Sequence, residues 1–232
     1  MTGIFDSGVG GLTALYELRR LCPKEDIIYL ADRENAPYGN KSHEKIKEIT
    51  KANIEKLTLA GAERVLIACC TASTVYEDLP PCMRQVSVPI IDPAAKKAAH
   101  ISDSGKIGVI STDATRRSGA FVSAIKKYSE KALVVSFGSP ALVSLVEGGC
   151  RDENIKAEEK IIVERELSPF LSSGIDVLIL GCTHFTHIAR TAEEILGIRT
   201  VSASVEGAAV MAKSIAAVGD GRTIFYKEKK GF

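Results

Sequence analysis

Short runs of β-branched and aliphatic residues, separated by stretches with helical spacing, recur along the whole chain, and this alternation limits its fold more than any other feature. The runs fall at residues 3–5, 26–31, 64–68, 88–92, 106–111, 132–137, 176–180 and 199–202. Several are apolar throughout, as strands covered on both faces must be. Between two of them Ile46, Ile49, Asn53 and Leu57 share one helical stripe, with Ser42 placed to cap it and Gly61 to stop it. A strand followed by a helix, repeated, predicts an α/β fold with mostly parallel sheets and right-handed crossovers. Ligands in such sheets sit beyond the carboxyl ends of the strands.

At 232 residues the chain exceeds an average domain of about 100–200, so one large domain and two small lobes both fit. Its internal echo favours lobes. Val65-Leu66-Ile67 leads into a cysteine and Thr71, and Val177-Leu178-Ile179 leads into Cys182 and Thr183. Two similar lobes facing across a cleft would bring those strand ends together, and a chance match of two apolar strands is the alternative. The expected division is residues 1–92 plus 203–232 for the first lobe, on the Cys69 side, and 93–202 for the second, on the Cys182 side. The loop 102–105 also reads as a lobe boundary.

Apolar residues at 45% and charged residues at 25% are ordinary globular usage. A formal charge of +1 gives no broad electrostatic reason to expect nucleic acid or an anionic membrane as partner. The basic run Lys227 to Lys230 reads as a solvated tail. Six scattered cysteines in a chain of this length read as reduced thiols, with Cys22, Cys82 and Cys150 as packing residues. Met1 leads straight into an apolar strand, and no apolar run approaches membrane length, so a cytoplasmic protein is expected.

Four segments at strand ends carry unusual residues. Asp6-Ser7-Gly8-Val9-Gly10-Gly11 follows the opening strand, where glycines let backbone amides approach an anion at a helix start. The lysine of a P-loop is missing, and a tight turn with no ligand is the plainer alternative. Pro37-Tyr38-Gly39 follows the second strand and, alone, is a turn with an aromatic in it. Ala68-Cys69-Cys70-Thr71-Ala72-Ser73 and Gly181-Cys182-Thr183-His184-Phe185 bring the nucleophilic side chains. A buried cysteine ending a strand is often inert packing. One placed where a helix begins is expected to feel the positive helix end, which lowers its pKa. Cys69, Cys70, Cys182, His184 and His187 hold enough donors for zinc, but there is no CxxC pair and adjacent residues diverge, so no metal is assigned. A Cys-His hydrolase is disfavoured, because His184 is only two residues from Cys182.

Taken together, DSGVGG (6–11), PYG (37–39), ACCTAS (68–73) and GCTHF (181–185) resemble the aspartate/glutamate racemase family, and within it the glutamate racemase branch. The likeness extends to Val146-Glu147 and to Ser111-Thr112-Asp113-Ala114-Thr115. The resemblance implies two α/β lobes, a site in the cleft between them, no cofactor and a homodimer. It also implies inversion at the α-carbon of a small acidic amino acid, glutamate, supplying D-glutamate for bacterial peptidoglycan. Cys69 and Cys182 would pass the proton from opposite faces, with Asp6 assisting Cys69, and His184 and Glu147 assisting Cys182. Asp6, Ser7, Tyr38, Gly39, Cys70, Thr71, Thr183 and His184 would hold the substrate's amino and carboxylate groups. Thr112 and Thr115 would lie near its side-chain carboxylate, and Arg116 and Arg117 would be exposed. The chemistry agrees, since inversion needs an acid and a base on opposite sides, exchanging roles with the enantiomer. Donors already aimed at the site must stabilise the carbanion-like transition state.

The chain departs from the family pattern at Cys70, where the family has an asparagine that contacts substrate. A thiol offers one weak donor in place of an amide's two, so affinity or specificity is expected to shift. Thr186 replaces a common proline, and the termini are short for the family. A racemase of aspartate or another small acid, and a non-catalytic binding descendant, are the rival readings.

Overall fold

The computed structural model describes residues 1–216 and 219–226, so the 227–230 run lies outside the described residues. The first part of the chain gives β1 (Thr2–Asp6), α1 (Leu12–Leu21), β2 (Ile27–Ala31), α2 (His43–Leu59), β3 (Arg64–Ile67), α3 (Cys70–Ser73), α4 (Pro81–Val86), β4 (Ser87–Pro89) and α5 (Ile91–Ile101). Then come β5 (Lys106–Ser111), α6 (Asp113–Ser118), α7 (Ala120–Tyr128), β6 (Leu133–Gly138), α8 (Pro140–Glu147), α9 (Ala157–Leu171) and β7 (Val177–Gly181). The 3₁₀ segment Thr183–Ile188 leads to α10 (Ala189–Leu196), β8 (Arg199–Ser202), α11 (Ala203–Ala212) and β9 (Thr223–Phe225).

These strands form two sheets, ordered β4-β3-β1-β2-β9 and β6-β5-β7-β8, with every pairing parallel. Period-two alternation buries both faces of each. Ile4, Tyr29 and Leu66 point to one side of the first sheet, and Phe5, Ile28 and Ile67 to the other. Val109, Val177 and Ile179 of the second sheet join the former group in one apolar layer with the alanines of α5 and with α11, so the two lobes share core. The outer face of the first sheet is covered by Ile49, Ile54 and Leu57 of α2. Helices α8, α9 and α10 cover Ile110, Leu178 and Leu180 of the second. Each such side chain contributes about 1.5–3 kcal/mol on burial. Helix α11 packs against α1 and α5, and Gly207 lets it close on Ile90, because a Cβ there would collide with that side chain.

The stripe read for α2 is observed: Ser42 accepts from the Lys45 amide at 3.3 Å, and Gly61 follows the helix at φ +98°. The run read as a strand at 88–92 is corrected. Pro89 has no N–H to continue a ladder, so β4 stops there. Asp92 instead falls in the first turn of α5, where an acidic side chain favours a helix start. Strand β9 has no counterpart among the runs read from the sequence. It is three exposed residues held against β2, with Arg222 donating to both carboxylate oxygens of Asp26 at 2.8 Å. Those bonds hold the Asp26 carboxyl down at about 2. Among the described residues no helix is long and apolar enough to cross a membrane.

Candidate active site

The carboxyl ends of the central strands from both sheets converge on one cavity of about 480 Å³. Ser7, Tyr38, Gly39, Cys69, Cys70 and Thr71 line it from the first sheet. Thr112, Glu147, Cys182, Thr183 and His184 line it from the second. Asp6 and Thr115 do not line it. They lie behind the wall, fully buried, at the ends of β1 and in α6. Arg116 and Arg117 are exposed.

On the first wall the Cys69 thiol donates to the Ser7 hydroxyl at 3.7 Å. Asp6 accepts from the Gly8 amide at 3.0 Å and, from the opposite lobe, from the Thr183 hydroxyl at 3.4 Å. No bond joins Asp6 to the Cys69 sulfur, so it acts on that thiol through its charge. None of Gly8, Gly10 and Gly11 has positive φ, and it is Gly10 and Gly11 that answer a need for space. A Cβ on Gly11 would come within 2.5 Å of the Asp6 side chain, and one on Gly10 would collide with the Thr183 hydroxyl and stand 3.1 Å from the His184 ring. Tyr38 shows the cavity its ring and backbone rather than a free hydroxyl. Its O–H donates to Asp32 at 2.5 Å and accepts from the Asn53 amide at 3.0 Å, inside the lobe.

Three threonine hydroxyls close the seam between lobes. Thr71 of α3 meets Thr112 and Thr115 at 3.1 Å each, and Thr112 donates to Thr115 at 3.0 Å. Thr112 also caps α6, accepting from the Thr115 amide at 3.2 Å. Thr186 exchanges a 2.7 Å hydrogen bond with Ser202, the cap of α11.

On the second wall the Cys182 sulfur lies 3.5 Å from His184 Nδ1, and His184 Nε2 lies 3.6 Å from Glu147. This is a chain of thiol, imidazole and carboxylate running outward from the cavity. Glu147 is the exposed end of it.

The expectation that helix starts lower the thiol pKa values is overturned. Burial pushes the Cys69 thiol up to about 11, and the Asp6 charge adds to the rise, against the opposing polar groups of Ala72 and Ser7. Burial also raises Cys182, with the Cys69 and Asp6 charges adding to it and the His184 amide opposing it. Helix α3 has four residues and Cys182 precedes a 3₁₀ segment, so neither start builds much of a dipole. Cys70 is raised as well, by burial first and then by the charges of Cys182 and Cys69. Among the described residues no three His, Cys, Asp or Glu side chains come together as a metal-holding group.

Several lining residues carried no sequence signal. Arg33 and Asn40 flank the PYG turn, Ser144 sits on α8 and Arg151 follows that helix, whereas Asp113, also on the lining at the start of α6, falls within the 111–115 stretch of the resemblance. His187 lies one turn beyond His184, and its pKa is lowered, first by burial and then by the Arg151 charge.

Comparison with known proteins agrees with this geometry. The sequence profile described as Asp/Glu/hydantoin racemase matches residues 15–212. The chain belongs to the Asp/Glu/hydantoin racemase family. Membership makes it a racemase, an enzyme of the isomerase class. A glutamate racemase of Desulforudis audaxviator is 37% identical over 211 residues, covering 90% of this chain and 76% of that one. Among solved structures, a glutamate racemase isoform from Bacillus anthracis shares the two-lobe fold with a TM-score of 0.86 at 29% identity, over 97% of this chain and 86% of that one. The Francisella tularensis glutamate racemase, solved in complex with D-glutamate, also gives 0.86, at 28% identity over 97% and 86% of the two chains.

Proposed function

We propose that this racemase interconverts L- and D-glutamate, with the Cys69 thiolate taking the α-proton on one face while the Cys182 thiol delivers one to the other, and with the roles reversed for the opposite enantiomer. The observation that carries the reading is that the two thiols, placed by strands of different sheets, line a single cavity. Two bases in one concave site are what inversion at carbon requires. Forming the Cys69 thiolate at pH 7 costs about 5 kcal/mol from a pKa near 11. The substrate's ammonium group, entering between the thiols, offsets part of that cost by placing a positive charge beside the sulfur. Ser7 steadies the Cys69 sulfur, and His184 relays protons at Cys182. The threonine clasp and the glycine-rich loop hold the walls at working distance.

The substrate assignment draws on relatives named glutamate racemase, and the D-glutamate bound to the Francisella tularensis protein supports it. The resemblance carried by the four motifs further implies a homodimer in the cytoplasm that supplies D-glutamate for peptidoglycan, and the proposed lobes are residues 1–92 plus 203–232 and 93–202. Incubating the protein with L-glutamate or L-aspartate in D₂O tests the reading. Exchange and inversion of glutamate are expected. Exchange of aspartate alone transfers the assignment to that acid, and binding without exchange of either overturns catalysis.

A further inference from the structure

One cation on the second wall has no part in the proton transfers. Arg151 lies four residues beyond the end of α8 and lines the cavity, half-buried. Its Nη1 donates to the Val146 carbonyl at 2.6 Å and to the Cys150 carbonyl at 2.7 Å, and its main-chain N–H donates to Asn154 at 2.9 Å. The two carbonyls fix the guanidinium in place, which by itself is a C-terminal helix cap. A cap uses only part of the group. Arginine carries five N–H donors, and among the described residues Arg151 forms no ion pair.

The surroundings say what such a group would take. A dicarboxylate amino acid carries one more negative than positive charge, and a buried charge needs a partner. The threonine wall has no formal charge to offer, and its three hydroxyls bond to one another. Two arginines line the cavity. Arg33 is exposed, whereas Arg151 is half-buried and held by two carbonyls, so its fork meets a carboxylate at lower entropic cost. The carboxylates on the same lining are already engaged, Glu147 with His184 at 3.6 Å and Asp113 with Arg116 at 3.9 Å.

Resting on the racemase reading above, we infer that Arg151 anchors the side-chain carboxylate of the substrate and thereby selects a dicarboxylate over its neutral amide analogue. The family resemblance implies that role for Thr112 and Thr115 instead. Thr115 lies behind the wall, and the Thr112 hydroxyl is engaged with those of Thr71 and Thr115.

The test measures KM and kcat for L-glutamate, together with inhibition by L-glutamine, in the wild type, Arg151→Gln and Arg151→Lys. Losing a charge-assisted anchor raises the glutamate KM by about tenfold or more. The expected pattern is that rise for Arg151→Gln with kcat within about threefold, partial recovery in Arg151→Lys, and a smaller preference for glutamate over glutamine. A glutamate KM within threefold of wild type in Arg151→Gln overturns the inference while leaving the racemase reading intact. A wild-type enzyme inert toward glutamate defeats the racemase reading instead. If melting shows that Arg151→Gln does not fold, Arg151→Lys decides, since it keeps the charge and loses the fork. A threefold or larger rise in KM supports the anchor, and an unchanged KM overturns it.

Discussion

Cys182 and His184 are separated by one residue in sequence and by 3.5 Å between sulfur and Nδ1, and no such imidazole accompanies Cys69, whose thiol meets the Ser7 hydroxyl instead. The two walls are therefore alike in their thiols and unlike in their support. In the proposed mechanism a proton relay through His184 would serve Cys182 alone.

Removing that relay with His184→Gln is expected to lower kcat by about a hundredfold, the lower end of general acid–base contributions, with KM within threefold. The Glu147 carboxylate is 56% exposed, so Glu147→Gln is expected to cost less than about tenfold. The enantiomers have equal free energy, so kcat/KM must fall by the same factor from either side, which polarimetry can follow. A His184→Gln variant with undiminished kcat would remove the imidazole from the mechanism.

Adjacent cysteines at 69 and 70 both face the cavity, and they are separable by kinetics. Cys69→Ser is expected to abolish inversion, a loss of about a thousandfold or more, as for other residues that act as a unit. Cys70→Ser is expected mainly to raise KM. The reverse pattern, with Cys70→Ser inactive and Cys69→Ser merely weak-binding, would transfer the base to Cys70.

Burial places the Cys69 thiol at about 11, so its thiolate is scarce at neutral pH and increases roughly tenfold per unit as pH rises. Ultraviolet thiolate absorbance of the substrate-free protein should therefore grow toward pH 11 rather than level off near 9. Linkage fixes the sign for stability. A folded pKa above the unfolded one stabilises fully below about 8.5 and loses that contribution as pH climbs to about 11. Melting temperature should decline across that window, and less steeply in Cys69→Ser. A thiolate transition near 7 would show that the helix start at α3 outweighs burial after all.

The strands were legible because their inward and outward residues are both apolar, a signal that needs no knowledge of partners. Where the signal lives in tertiary contact it was silent. Strand β9 is exposed, and its Arg222 finds Asp26 from across the sequence. The four motifs marked strand ends, and the cavity lies at strand ends. The direction of the Tyr38 hydroxyl was not legible, being fixed by Asp32 and by Asn53 on α2. Nor was Arg151, which reaches the cavity wall because it is tied to the end of α8. The thiol pKa values were misread for a related reason. Helix length and depth of burial decide them, and neither is visible in a short motif.

Spacing between the lobes rests on Gly10, which offers a sharp contrast with its neighbour Gly8. Gly10 belongs to the first-sheet loop, yet the atoms nearest to its missing side chain are the Thr183 hydroxyl and the His184 ring of the second lobe. A methyl group there collides with the Thr183 hydroxyl and crowds the His184 ring at 3.1 Å, so the lobes must move apart or those side chains must shift. Overpacking of this kind typically costs about 1–3 kcal/mol. The same methyl on Gly8 meets nothing within 4 Å, and the amide that donates to Asp6 is retained. Gly10→Ala is therefore expected to lower kcat by more than about tenfold and to reduce Tm, since a small displacement of a catalytic group is costly. Gly8→Ala should leave both close to wild type. Parallel melting and racemisation assays separate the two outcomes. Equal effects of the two substitutions would mean that the loop needs glycine for flexibility rather than for the approach of Thr183 and His184.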